Sequence, residues 1–450
     1  GEVGQVVALG QHLRADEDAR PAAERGEQLF QRVLALRAAA VDAQHRHAGE
    51  LRRQRLLDAF GARALRLQRE AGAVGAGLRR GALVAIEPAT GDVLAFVSVP
   101  SFDPNLFVDG IDVESWRQLN ESPDHPLINR PLYGTYPIGS TYKPFVALAA
   151  LELGKRTATE RVYDPGYFEF AGQRFRNAGS VSYGMTDMHK ALVVSSDTYF
   201  YSLGPEIGVN ALHDFMKPFG FGQLTGIDLE GERTGVLPST EWKRKTYKTR
   251  EQQRWYTGET ISVAVGQGYN AFTLLQLAQA TAVLANDGVY MKPHLVRAVE
   301  DPRTGERTLT VSEPSYTIPL RPENVRAVKA ALVDVVRKGT ARQAFEGAAY
   351  QAAGKTGTAQ VFSLRGAKYR ASEVDERLRD HALFMAFAPA QSPQIAVALI
   401  VENGGWGSTA AAPIARKVFD YWLSRADPVG RPVPATVARA APAFAESRTQ

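Results

Sequence analysis

Gly139-Ser140-Thr141-Tyr142-Lys143-Pro144, followed at once by the apolar run Phe145-Val146-Ala147-Leu148-Ala149-Ala150-Leu151, is the stretch on which the reading of this chain turns. The apolar run reads as the body of a buried helix, and Gly134-Thr135-Tyr136-Pro137-Ile138-Gly139 reads as a turn feeding it. Pro144 has no N–H to donate to the Ser140 carbonyl, which a helix tolerates only near its start, so Ser140 is placed at the helix N-terminus. Residues at i and i+3 share a helix face, which puts Lys143 within reach of the Ser140 hydroxyl. A serine hydroxyl becomes a nucleophile at neutral pH only with a base beside it. The free N–H groups and the positive dipole end of a helix start favour a developing oxyanion. The pair is a candidate nucleophile and base for acyl transfer, although a helix cap with a solvated lysine accounts for these two residues taken alone.

Two further stretches shift that balance. Ser195-Ser196-Asp197 supplies a second hydroxyl and a carboxylate, and Lys355-Thr356-Gly357-Thr358 supplies a second lysine. In this order the three stretches match the Ser-x-x-Lys, Ser-x-Asn and Lys-Thr-Gly signature of penicillin-binding proteins and class A β-lactamases. The likeness extends to Trp255-Tyr256-Thr257-Gly258-Glu259-Thr260, Gly266-Gln267-Gly268-Tyr269, Lys355 to Phe362, Glu376-Arg377-Leu378-Arg379-Asp380-His381 and Glu402-Asn403-Gly404-Gly405. From about Gly81 to Leu423 the chain resembles the class B penicillin-binding proteins of the penicillin-binding protein 2 type, the transpeptidases of rod-shaped elongation.

The chemistry assigns roles to the motif residues. Ser140 attacks an acyl carbonyl, and Lys143 takes its proton. That requires a neutral amine, with a pKa lowered by burial and by a second cation, for which Lys355 is the candidate. Ser195 passes the proton to the leaving amine, while Lys355, Thr356 and Thr358 hold the substrate carboxylate. Gly357 lets its strand approach the substrate backbone closely. Asp197 departs from the commoner Asn; an ionised carboxylate only accepts hydrogen bonds, so it can hold Lys143 in place of binding a substrate amide, or lie on the helix surface. The resemblance implies an oxyanion hole made by the N–H groups of Ser140 and Thr358. It also implies peptidoglycan stem peptides ending in D-Ala-D-Ala as substrate, β-lactams as acylating mimics, no cofactor, and a membrane glycan polymerase as partner at the periplasmic face of the inner membrane. The alternatives are a serine β-lactamase or D,D-carboxypeptidase, in which water replaces the acceptor amine, and a non-catalytic β-lactam sensor. Glu241-Trp242-Lys243-Arg244-Lys245 lacks the Glu-x-x-Leu-Asn pattern of the class A deacylating base.

Around the motifs, Ala82–Glu87 and Asp92–Val99 read as a hairpin joined by Pro88-Ala89-Thr90-Gly91. Lys355–Phe362, Ala382–Ala388 and Ile395–Glu402 read as three more strands, and Pro413–Leu423 as a closing helix. The region between reads as mostly helical, with one helix over Leu274–Ala285 stopped by Asn286-Asp287-Gly288. Two strands, a helical insert, three strands and a helix make an α+β pattern; the family resemblance implies a five-stranded antiparallel sheet with helices on both faces. Gly266-Gln267-Gly268 lacks the strand and third glycine of a dinucleotide loop and reads as a tight turn. Asp380 and His381 read as a structural hydrogen-bonding pair. Some relatives hold a metal near the site; the matching residues here, Asp164, Asn177 and Tyr183, are too poor in ligands for zinc, so no metal is expected.

With 450 residues, 44% of them hydrophobic, the chain can bury one large domain plus appendages. It has no cysteine, which removes disulfides, thiol nucleophiles and thiolate metal sites. A net charge of +5 with both signs mixed is too mild to argue for nucleic acid. No apolar stretch approaches the roughly 20 residues of a membrane span, and none has the layout of a signal peptide. The transpeptidase domain is expected over 81–425. Glu27–Leu36 and Glu50–Arg69 are Ala/Arg/Leu-rich with helical spacing, so residues 1–80 are expected to be one or two amphipathic helices, loosely attached or disordered. The family's membrane helix and β-rich pedestal are not recognisable there. Leu67-Gln68-Arg69-Glu70-Ala71 resembles the helix before the family's first strand, and the segment ahead of it reads as a truncated or frame-shifted remnant that would uncouple a polymerase. Residues 426–450 are Pro/Ala-rich and expected to be a disordered tail.

Overall fold

A computed structural model describes residues 80–361 and 374–423. The expected N-terminal helices, the C-terminal tail and Phe362 lie outside the described residues. The strands β1 (Gly81–Ile86), β2 (Val93–Val99), β3 (Ala353–Ala359), β4 (His381–Ala388) and β5 (Ile395–Val401) form one five-stranded sheet in the order β3-β4-β5-β1-β2. All four pairings are antiparallel, with Gly81 opposite Val401 and Lys355 opposite Met385. The helices that matter for the site are α1 (Lys143–Glu152), α2 (Met188–Val194), α3 (Asp197–Ile207), α4 (Leu274–Ala285), α5 (Pro322–Arg337) and α6 (Ala412–Leu423).

The sheet's near-continuous apolar sequence follows from burial on both faces. Successive side chains of a strand point to opposite sides, and the two sets enter two different cores. Val84, Leu383, Met385, Ala398 and Ile400 pack with α1, α4 and the first part of α5. Leu83, Ala85, Phe384, Val397 and Leu399 pack with α6 and with Val335 and Val336 at the end of α5. Trimming one such side chain typically costs about 2–5 kcal/mol, against a usual margin of about 5–15 kcal/mol for a whole domain. Packing therefore dictates residue type along these strands.

Helix α4 has the bounds expected from its sequence; Thr273 and Gln276 form a capping box at its start, and Asn286 ends it. Strand β3 runs two residues further back than expected and stops three residues earlier, because its pairing with β4 extends from Ala353 opposite Phe387 to Ala359 opposite His381. The insert is less helical than its sequence suggests. Val162–Asp164 pairs with Gly184–Thr186, and Tyr167–Phe170 with Gln173–Arg176, as small two-stranded units. These strands are three or four residues long and mostly exposed or half-buried, too short and too polar to show a period of two.

Candidate active site

Ser140 lies in a single 3-10 turn, Gly139–Tyr142, that runs directly into α1, with Pro144 in the first turn of the helix. The turn is pressed against the open edge of β3. A Cβ built on Gly139, whose φ is +52°, would sit 2.4 Å from the Thr358 carbonyl oxygen, so only glycine fits. A Cβ on Gly357 would sit 2.8 Å from Thr141 Cγ2 and 3.0 Å from the Ile138 carbonyl oxygen. The close approach that Gly357 permits is thus to the turn carrying Ser140. On the other side, Gly139 donates its N–H to the Gly266 carbonyl at 3.0 Å, and Gln267 Nε2 donates to the Thr358 carbonyl at 3.3 Å. The Gly266-Gln267-Gly268 turn therefore buttresses both the strand and the turn that carries Ser140. In an antiparallel strand the N–H and C=O of one residue point the same way. Since the Thr358 carbonyl meets Gln267 away from β4, its N–H also faces the open edge, beside Ser140.

Ser195 stands between the two lysines. Helix α2 ends on it in the left-handed conformation, φ +59° and ψ +41°, unusual for a residue with a Cβ and typical of strained functional positions. Lys355 Nζ donates to Ser195 Oγ at 2.8 Å and to the Thr356 carbonyl at 3.1 Å. Lys143 Nζ lies 3.3 Å from Ser195 Oγ, 2.9 Å from the Ser195 carbonyl and 2.6 Å from Asp197 Oδ1. Both lysines are fully buried. Burial holds the Lys143 pKa below the ordinary lysine range, with Asp197 and Asp164 opposing. Lys355 is pushed well below that range by burial and then by the Lys143 cation, with Asp197 opposing. Two ammonium groups sharing one buried hydroxyl favour a state in which one of them is neutral.

The expected contact of Lys143 with the Ser140 hydroxyl is not formed: no hydrogen bond joins them among the described residues. The Asp197 carboxylate and the Ser195 oxygens draw the amine to the other side. Catalytic hydrogen bonds are often loose without substrate. Thr356 Oγ1 is 2.8 Å from Thr340 Oγ1. Thr340 carried no signal in the sequence, because Gly339-Thr340-Ala341 belongs to no motif.

Asp164 is buried and committed to protein partners. Its carboxylate accepts from Ser196 Oγ at 2.6 Å, the Gly166 N–H at 2.7 Å and Asn177 Nδ2 at 2.9 Å. Asn177 Oδ1 in turn accepts from the N–H and hydroxyl of Thr198 at the start of α3. This hydrogen-bonded network fixes the Ser195–Asp197 corner. Among the described residues, no group of three or more His, Cys, Asp or Glu side chains could hold a metal. Asp380, its carboxyl pushed up to about 6 by burial, and His381 both join the loop after β5: Gly405 donates to the Asp380 carbonyl at 2.9 Å and Asn403 to His381 Nδ1 at 3.0 Å.

Asp197→Asn isolates the carboxylate's electrostatic effect. If Lys143 must be neutral to act, acylation rises with pH through its pKa, and Asp197 raises that pKa. Removing the charge lowers the Lys143 pKa, so the rising limb of acylation rate against pH is expected to move to lower pH. A limb that stays put or moves up would show that Asp197 does not set the state of Lys143.

A buried lysine pair around a left-handed serine, with a second serine in the turn against the edge strand β3, is the arrangement expected of a serine acyltransferase site of the penicillin-binding type. Residues 81–420 match the penicillin binding protein transpeptidase domain, and the chain belongs to that family. It is 45% identical over 351 residues to the peptidoglycan D,D-transpeptidase MrdA of Acinetobacter baumannii, a match covering 77% of this chain and 51% of that protein. The chain thus spans about half the length of the curated relatives it matches. Among solved structures it is similar to Pseudomonas aeruginosa PBP2 in complex with WCK 5153, with a TM-score of 0.71 and 46% identity over 81% of this chain and 75% of that one. It is also similar to a chain of a peptidoglycan synthase complex that coordinates polymerization and crosslinking, with a TM-score of 0.68 and 32% identity over 82% of this chain and 62% of that one.

Proposed function

We propose that this chain is the catalytic part of a peptidoglycan D,D-transpeptidase of the elongation type, acting through a Ser140 acyl-enzyme. The observation that carries the reading is the convergence of Lys143, Ser195 and Lys355 beside Ser140 and the open edge of β3. A donor stem peptide ending in D-Ala-D-Ala adds to that edge as an extra strand, its terminal carboxylate held by Lys355, Thr356 and Thr358. Ser140 Oγ bonds to the penultimate carbonyl carbon as Lys143 takes its proton, and the oxyanion meets the Ser140 and Thr358 N–H groups. The C–N bond to the last D-Ala breaks, with the proton passing through Ser195 to the leaving amine. An acceptor amine then attacks the ester carbonyl, gives up a proton to Lys143, and Ser140 Oγ departs with a proton. β-Lactams acylate Ser140 by the same first step.

The class A route to hydrolysis uses a carboxylate to activate water after acylation. Glu241 does not serve: it is exposed and paired with Lys245 at 2.6 Å. Asp197 is engaged by Lys143 and the Ala178 N–H. A membrane glycan polymerase at the periplasmic face of the inner membrane is the partner that fits this reading, given the similarity to the synthase complex. The decisive assay is incubation with a pentapeptide ending in D-Ala-D-Ala, with and without an amine acceptor. D-Ala release with a cross-linked product that displaces the hydrolysed tetrapeptide is expected; hydrolysis insensitive to acceptor would assign a carboxypeptidase.

Lys355→Ala is expected to weaken acylation by carboxylate-bearing β-lactams far more than by esterified analogues, because the proposed ion pair exists only with the former. Equal losses would mean that Lys355 acts through Ser195 and Lys143 alone.

A further inference from the structure

Glu402 and Asn403, directly after β5, join the two chain segments that carry the oxyanion donors. Tyr136, three residues before Gly139, donates its hydroxyl to Glu402 Oε1 at 2.6 Å. The same oxygen accepts from Arg130 Nε at 3.0 Å, and Arg80 Nε lies 3.7 Å from Glu402 Oε2. Asn403 donates its N–H to His381 Nδ1, and His381 is the partner in β4 of Ala359, the residue after Thr358. The Tyr136 and His381 rings meet edge to face, 5.6 Å between centroids. One dipeptide therefore holds the approach to Ser140 with one residue and the end of β3 with the next.

The support behind it is stiff. Arg80 and Arg130 are buried, and Arg80 also donates to Asp124 at 2.7 Å and to Asn403 Oδ1 at 3.0 Å. Arg130 donates to the backbone carbonyls of Asp124 and His125. Asn403, at φ +58°, donates its side-chain amide to the Arg377 and Arg379 carbonyls. A buried polar network whose members are all paired rigidifies what it touches. We propose that Tyr136 and Glu402 are positioning residues that set the separation of the Ser140 and Thr358 N–H groups, and hence the fit of the oxyanion hole to the tetrahedral intermediate. The proposal rests on the transpeptidase reading above.

Tyr136→Phe keeps the ring against His381 and removes only the hydroxyl. Acylation by penicillin is expected to slow on the order of tenfold, since small displacements of catalytic groups cost rate steeply. The affinity of the reversible complex that precedes acylation should stay within about twofold. A peptidyl boronic acid gives the reading a structural role alone would not move. Ser140 Oγ adds to boron and its proton leaves to the base, giving a tetrahedral anion with an oxygen in the hole. Its affinity is expected to fall in step with the acylation rate, while the thermal midpoint barely changes. Acylation at the parent rate, or slower acylation with unchanged boronate affinity, would overturn the proposal. A parent chain that forms no adduct would instead fail the transpeptidase reading beneath it.

Discussion

Ser140→Ala is expected to form no penicilloyl adduct at any pH or exposure time, because it removes the proposed nucleophile, while the neighbouring Thr141 hydroxyl is committed to the Ile138 carbonyl. The fold should survive. Ser140 is half-buried in a 3-10 turn with no capping hydrogen bond, so its loss falls at or below the about 0.5–2 kcal/mol typical of a true cap. Among the described residues, the hydroxyl bonded to both lysines is that of Ser195, which sits between their amino groups. A residual adduct on Ser195 in the variant would move the nucleophile there and reverse the roles assigned to the two serines.

Lys143→Arg carries the second largest effect. A guanidinium does not deprotonate in a protein, so the variant keeps a positive charge near Asp197 and loses the base. Acylation is expected to slow by on the order of 10²–10⁴-fold, the usual worth of general base catalysis. Arginine is also larger, and Lys143 is fully buried beside Phe200, so the thermal midpoint should be measured on the same sample. A folded variant that acylates at near-normal rate would show that Lys143 contributes only charge. The base role would then pass to Asp197 acting through a water.

The sequence was most legible where one local rule acted alone. The hairpin of β1 and β2, the all-apolar β4 and β5, and α4 with its Asn-Asp-Gly stop could be placed from pattern, because turn residues and burial on two faces leave plain marks. The motif serines and lysines were picked out by their order along the chain and their resemblance to the family signature. Their arrangement was not: nothing local says that Lys143 turns toward Asp197, that Ser195 adopts a left-handed backbone, or that Gly357 is needed against Thr141. These depend on chain segments brought together from far apart. The same holds for the Tyr136–Glu402 contact and for Thr340 beside Thr356. The short strands of the insert were missed because three exposed residues cannot display a period.

Intact-protein mass spectrometry after incubation with benzylpenicillin, followed by peptide mapping, tests the central claim most directly. One penicilloyl group per chain is predicted, on the peptide containing Ser140 and persisting for hours, because the Asp197 carboxylate is engaged by Lys143 and the Ala178 N–H and Glu241 is paired with Lys245. No adduct, an adduct on another residue, or one lost within seconds would contradict the account.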